Sequence, residues 1–189
     1  MSTKDPLARF GEVPLFTLSS TDMTDGAALA APQFGADSGG GNASPQLSWS
    51  GFPPETKSFA LTAFDPDAPT GSGFWHWAVF NLPASVTSLN ANAGSAAGAT
   101  VDTPSSGLLP EGAITLPNEA RQLAFIGAGP PEGTGTHRYQ FIVHAVDVAE
   151  LDIDSQSTPA VLGFNLHFHT IARAILEATG VYGGAASGS

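Results

Sequence analysis

The sequence predicts a β-rich domain of many short strands with a helical C-terminal portion, and three features predict it. Glycine and proline are abundant, at 22 and 15 residues, while only 12% of the chain is charged. That composition suits strands joined by turns better than a helical bundle. Apolar residues alternate with small or polar ones through the middle of the chain, which is the period of a strand. Beyond Thr158 the spacing changes to three and four, the period of an amphipathic helix packed on a sheet.

The elements follow in order. Val13 to Leu18 is a candidate first strand, and the Gly/Ala/Ser-rich run from Asp25 to Ser44 is mostly loop. Leu47-Ser48-Trp49-Ser50 reads as a short strand ended by Gly51-Phe52-Pro53-Pro54. From Ser58 to Phe64 the alternation of Phe59, Leu61 and Ala63 predicts a half-buried strand, which the prolines of Asp65-Pro66-Asp67-Ala68-Pro69 should stop. Phe74 to Leu82 is rich in aromatic and branched residues and closes at Pro83, with His76 on the face of Ala78 and Phe80. Asn90 to Gly112, low in complexity, is expected to be a long surface loop. Arg121 to Ile126 and Arg138 to Val148 are further candidate strands, and in the second His137, Tyr139, Phe141, Val143 and Ala145 share a face.

In the C-terminal portion Val161, Phe164, Phe168, Ile171, Ile175 and Ala178 mark one face of a helix, with Thr158-Pro159 as its start, Gly180 as its end and Gly163 as a possible break into two. Residues 1–182 are therefore expected to form one domain, since a chain of 189 residues with 42% hydrophobic content can bury one core without needing two. The tail from Gly183 to Ser189 offers little to pack and is expected to fray.

Charge and composition narrow the function. Six Lys plus Arg against 17 Asp plus Glu give a formal net charge of −11, with no basic stripe to meet a phosphate backbone, so nucleic acid is not an expected partner. The absence of cysteine excludes disulfides, thiol nucleophiles and thiolate metal sites. No window has the apolar run of a membrane span, and a cytoplasmic location is the expectation.

Two stretches place ionisable groups where a β-rich core would want hydrocarbon. In the first, a proline-stiffened turn presents Asp65 and Asp67, and the following strand can bring His76 beside them; a carboxylate there would favour the protonated imidazole. The second is Gly129-Pro130-Pro131-Glu132-Gly133-Thr134-Gly135-Thr136-His137-Arg138-Tyr139, whose glycines allow the backbone to wrap a small group and whose His137 and Tyr139 offer donors on one face. Each stretch alone is also compatible with an ordinary turn and a satisfied core histidine.

Together, D-P-D-A-P, H-W-A-V-F-N-L-P and G-P-P-E-G-T-G-T-H-R-Y resemble the signature blocks of the phosphatidylethanolamine-binding protein (PEBP) family, also called Raf kinase inhibitor proteins, in its bacterial YbhB/YbcL-like branch. The segment S-P-Q-L-S-W-S-G-F-P from Ser44 to Pro53 extends the resemblance. It implies an all-β fold, an antiparallel β-sandwich with one or two C-terminal helices packed on it and an anion-binding pocket at one end. Carried over, Asp65, Asp67, His76, Gly129, Pro130, His137 and Tyr139 form that pocket, while Arg138 points away into a structural ion pair. Tyr182, in a closing G-x-Y, is not counted in it.

The expected function is non-catalytic: binding of phosphate, phosphoethanolamine or a similar small anion by protonated His76 and His137 with Tyr139 and loop N–H groups, without cofactor or metal. Phosphate affinity would then weaken as pH rises past the imidazole range, near roughly 6.5. The alternative is an inhibitor of a kinase or protease acting through protein contacts, and the resemblance also suggests a homodimer. A phosphoester hydrolase is disfavoured, because no G-x-S-x-G elbow, metal cluster or arginine clamp is evident. His167 and His169, two apart on a helix, point to nearly opposite sides and cannot share one ion.

Overall fold

The computed structural model describes residues 7, 11–95 and 108–188. Among them are strands β1 (Thr17–Ser19), β2 (Leu47–Ser50), β3 (Ser58–Asp65), β4 (Phe74–Pro83), β5 (Ser88–Leu89), β6 (Ile114–Thr115), β7 (His137–Val146) and β8 (Thr170–Gly180), with one α-helix, α1 (Pro159–His169), between β7 and β8. A small antiparallel sheet, β1-β2-β5, packs against a larger one ordered β6-β4-β3-β7-β8. The predicted all-β sandwich with a C-terminal helix is the observed architecture.

The expectation of a half-buried strand at Ser58 to Phe64 needs correction, because every residue of β3 is buried. The large sheet is covered on both sides. Phe59, Leu61 and Ala63 enter the core between the sheets with Trp49, Trp77, Phe141 and Leu176. Ala60 enters a second core with Ala78, Phe80, Leu151, Leu162 and Leu166, beneath α1. Small residues on that second face let the helix approach. Asn81 adopts a positive φ of 57°, close to a bulge that breaks the β3–β4 register between Phe59 and Leu61. Its Oδ1 accepts the Leu151 N–H at 2.8 Å, which ties the connection after β7 onto the sheet.

The C-terminal portion departs most from the sequence reading. The helix spans only Pro159–His169, and Thr170 turns extended to start β8, which pairs with β7 along most of its length. In β8, Ala172, Ala174, Leu176 and Ala178 alternate into the core, but apolar Ile171 just before them and Ile175 among them mask the period of two. The helix also buries a different face: Pro159, Leu162 and Leu166 pack inward, while Val161, Phe164 and Phe168 are 41%, 68% and 63% exposed. Gly163 does not break it. The outer edge of β8 is covered by the chain before β2, through Arg173 N–H to Pro14 O, Phe16 N–H to Arg173 O and Leu29 N–H to Thr179 O.

Arg121 to Ile126 is not a strand. The buried Asn118 side chain organises this segment instead, its Oδ1 accepting the N–H of Ala120 and Gln122 and its Nδ2 donating to Ala124 O, while Arg121 takes a φ of 62°. Of the expected loop from Asn90 to Gly112, positions 96–107 lie outside the described residues. The tail is not loose where it is described: Gly184–Gly188 forms a 3₁₀ turn with Ala185 buried. Gly184 approaches the Phe34 ring so closely that an added Cβ would lie 2.7 Å from it.

His144, on β7 beneath α1, is fully buried and hydrogen-bonded to Thr170 Oγ1 at 3.1 Å. Burial, helped by the Arg173 guanidinium, pushes its imidazole down to about 3. An unfolded chain takes up that proton near the ordinary 6.5, so between those values the unfolded state binds one more proton and stability falls as pH falls. Urea denaturation should show unfolding free energy dropping by about 1.4 kcal/mol per pH unit from this residue. A His144→Leu variant with an equally steep acid profile would contradict the assignment.

Candidate functional site

Asp65 ends β3, and its carboxylate is used twice. Oδ1 accepts the Asp67 N–H at 2.8 Å, closing the D-P-D-A-P turn. Oδ2 accepts from Nδ1–H of His137, the first residue of β7, at 2.7 Å. Their side chains are 4% and 1% exposed. On its other side His137 Nε2 lies 2.9 Å from Thr134 Oγ1, whose O–H donates to Pro131 O at 2.7 Å. One chain of contacts thus runs from the Asp67 turn through Asp65 and His137 to Pro131.

His76 approaches from β4. Its Nδ1–H donates to Ile126 O at 2.7 Å, and its ring lies 5.2 Å edge-on from that of Tyr139 and 4.8 Å from that of Phe74. Burial holds His76 below the ordinary imidazole range, against the opposing pull of the Ile126 carbonyl and the Asp65 charge. The neutral ring, with Nδ1 donating, offers Nε2 as an acceptor. The sequence reading expects a charged His76; in the protein's own surroundings desolvation outweighs the carboxylate and favours the neutral ring. Burial, reinforced by Asp65, raises the Tyr139 phenol well above its usual range, so it keeps its O–H; the Gly129 backbone pulls weakly the other way. No described residue accepts a hydrogen bond from that buried O–H.

These side chains surround a cavity of about 560 Å³ at the end of the large sheet. Of the residues expected there, Asp65, His76, Gly129, His137 and Tyr139 line it together. Asp67 does not. Arg138 grips it in a two-point ion pair, Nε to Oδ2 at 2.7 Å and Nη2 to Oδ1 at 2.9 Å, which lowers the Asp67 carboxyl below its ordinary value despite some opposing burial. Arg138 thus points away, as expected of it. Pro130 is buried behind the wall, and its neighbour Pro131 takes the lining position. Tyr182 is 62% exposed and is not a lining residue.

The opposite wall was missed by sequence reasoning. Asp37, Ser38 and Asn42 come from the run read as plain loop, and Gln122 from the segment read as strand. Backbone pairing holds the first of these in place: Gly35 N–H donates to Ala128 O, Ala128 N–H to Gln33 O, and Gly127 N–H to Asn42 Oδ1 at 2.6 Å. The polar residues Asp37, Ser38 and Asn42, amid glycine and alanine, were the available signal. Among the described residues the lining carries two carboxylates, Asp37 and Asp65, and no lysine or arginine.

A β-sandwich with a polar, imidazole-bearing cavity at one end is thus the class of protein defined by fold and site. The chain belongs to the phosphatidylethanolamine-binding protein family, whose description matches residues 19–182. The UPF0098 protein YbhB of Escherichia coli strain K12 is 42% identical over 163 residues, 85% of this chain and 97% of its own. The UPF0098 protein YbcL of the same organism is 43% identical over 171 residues, 88% and 87% of the two chains. The crystal structure of E. coli YbcL, described as a new member of the mammalian PEBP family, matches with a TM-score of 0.78 at 42% identity, covering 87% of this chain and 96% of that one. Among the described residues no helix is long and apolar enough to cross a membrane.

The two aspartates should respond differently to loss of charge. Asp65→Asn leaves His137 facing an uncharged partner in the buried end of the sheet, and a loss of roughly 3 kcal/mol or more is expected. Asp67→Asn breaks a pair whose side chains are 27% and 22% exposed, so screening should hold its cost to about 1 kcal/mol or less. Guanidinium denaturation of both variants checks the order, and equal losses would refute the placement of Asp65.

Proposed function

We propose that this protein is a non-catalytic, cytoplasmic binding protein whose end cavity holds a phosphate, phosphoethanolamine or similar small anion. The carrying observation is the buried Tyr139 hydroxyl, whose O–H has no acceptor among the described residues, beside His76 in a cavity of about 560 Å³. A buried O–H left unsatisfied costs about 1–3 kcal/mol, which a ligand oxygen accepting from it would recover. His76 accounts for the charge. Held neutral by its protein surroundings, it gains a proton as an anion enters, because the anion restores the charge balance that burial removed. An ammonium on the same ligand has Asp37 to meet; Asp67, engaged with Arg138, is not free for it. The name of the family supports a headgroup of this kind. With no lysine or arginine among the described lining residues to stabilise charge developing at phosphorus, holding is better supported than cleaving.

The second reading, an inhibitor acting by protein contact, has one observation in its favour: Phe164 and Phe168 stand exposed as an edge-to-face pair on α1, with ring centroids 5.2 Å apart. Capture of a stoichiometric kinase or protease that is lost on Phe164→Ser/Phe168→Ser, with anion binding unchanged, would favour it.

Proton uptake by His76 makes a directional prediction with sulfate, whose charge is constant over the range tested. Calorimetric affinity should rise as pH falls below the imidazole's ordinary 6.5, by at most about tenfold per pH unit for one linked proton. Binding should be accompanied by proton uptake from buffer. His76→Ala should abolish it, and Tyr139→Phe should weaken it by about five- to tenfold. An affinity independent of pH, or normal binding by His76→Ala, would overturn the proposal.

A further inference from the structure

The end cavity is larger than a small anion needs. At about 560 Å³ it falls in the range of roughly 300–1,000 Å³ that encloses a ligand of drug size. A benzene ring fits in roughly 150 Å³, and a tetrahedral oxyanion is smaller still. The buried end, formed by Asp65, His76, His137 and Tyr139, takes the anion proposed above. Beyond it the cavity opens outward, because Asp37, Pro69 and Gln122 in its wall are exposed.

The outer part has a chemistry of its own. Among the described residues no side-chain hydrogen bond engages Asp37, Ser38 or Gln122. Asn42 gives its Oδ1 to the Gly127 N–H at 2.6 Å, which leaves its Nδ2 protons to donate. These four side chains supply a charged acceptor, a hydroxyl and two amides. Phe74 also lines the cavity. It lies two residues before His76 on the same face of β4, with its half-buried ring 4.8 Å from the imidazole. The electron-rich face of such a ring attracts the slightly positive C–H groups of carbon atoms that bear oxygen.

We propose that the ligand of the end cavity is a phosphate monoester of a sugar or other polyol, with its phosphate at His76 and Tyr139, its carbon frame along Phe74 and its hydroxyls on Asp37, Ser38, Asn42 and Gln122. This rests on the anion reading of the same cavity and assigns the remainder of the molecule. Neighbouring hydroxyls each donate and accept, and a carboxylate, a hydroxyl and two amides together meet both needs. An ammonium would use Asp37 and leave the hydroxyl and amides idle. An acyl chain would set hydrocarbon against all four polar groups. The formal net charge of −11 also opposes approach to an anionic membrane surface, which favours a ligand free in solution.

Calorimetry on the full chain, in one buffer at a single pH, compares inorganic phosphate, glucose 6-phosphate, butyl phosphate and phosphoethanolamine. Glucose 6-phosphate should bind about tenfold or more tightly than inorganic phosphate, for two or more added hydrogen bonds, and more tightly than the other two esters. Asp37→Ala should weaken glucose 6-phosphate by about tenfold yet strengthen inorganic phosphate, since a like charge near the anion is removed. Gln122→Ala should narrow the gap between these two ligands by about fivefold. Equal affinity for glucose 6-phosphate and phosphate, tighter binding of butyl phosphate or phosphoethanolamine, or a parallel loss of both ligands in Asp37→Ala would overturn the assignment and leave the anion reading standing. Failure of phosphate and sulfate alike to bind would remove the anion reading, and this assignment with it.

Discussion

The contact between Asp65 and His137 holds the architecture and the end cavity in one place. Asp65 is the last residue of the central strand and His137 the first of its neighbour, so a single buried pair fixes where β3 stops, where β7 begins and how their ends align. The same carboxylate closes the turn to Asp67, and the same imidazole reaches Thr134 and through it Pro131, a wall of the cavity. A buried pair of this sort is rarely the most stabilising choice for a core. Its value here is geometric, because hydrocarbon would fill the volume without specifying the direction of the turn or of the loop.

The chain is strongly acidic, yet the described residues line the cavity without lysine or arginine. A fixed cation would attract anions continuously and would need its own buried counter-charge. Imidazoles avoid that requirement, since His76 is neutral when desolvated and Tyr139 contributes a donor without charge. If the cavity holds an anion, as proposed, selectivity rests on hydrogen-bond geometry and proton uptake, and long-range attraction by the negative surface contributes nothing.

Strands with a single strong pattern were legible in the sequence. Leu47–Ser50, Ser58–Asp65 and Phe74–Pro83 carry aromatic and branched residues bounded by proline and glycine, and each lies where that pattern puts it. β8 was hidden because apolar residues occupy both of its faces, so spacings of two and of three or four fit the same residues. The Leu162 and Leu166 face of α1 was hidden by the bulkier Phe164 and Phe168, whose exposure no local rule predicts. At the site, residues flanked by strand or turn signals were legible: Asp65, His76, His137 and Tyr139. Asp37 and Gln122 were not, because backbone contacts across nearly a hundred residues, such as Gly35 with Ala128, carry Asp37 to the cavity, and the Asn118 side chain rather than a ladder shapes the segment of Gln122.

The alternation of strand residues also explains why an apolar space beneath α1 and the polar end cavity lie back to back. Phe64 and Asp65, Trp75 and His76, and Tyr139 and Gln140 are adjacent in sequence, and each pair divides its side chains between the apolar space beneath α1 and the polar cavity at the sheet's end. With a side-chain period of two, a slip of one residue in any of these strands would turn an imidazole or carboxylate toward hydrocarbon and an aromatic ring toward the polar side. Both exchanges are unfavourable, so the two sides enforce the same register. The bulge between Ala63 and Phe64 falls just before the first of these pairs, where a local irregularity re-aims the strand end that carries Asp65. The β3 pattern thereby defines the apolar floor beneath α1 and the charged wall of the end cavity, which ties the end of the sandwich to the packing of the helix behind it.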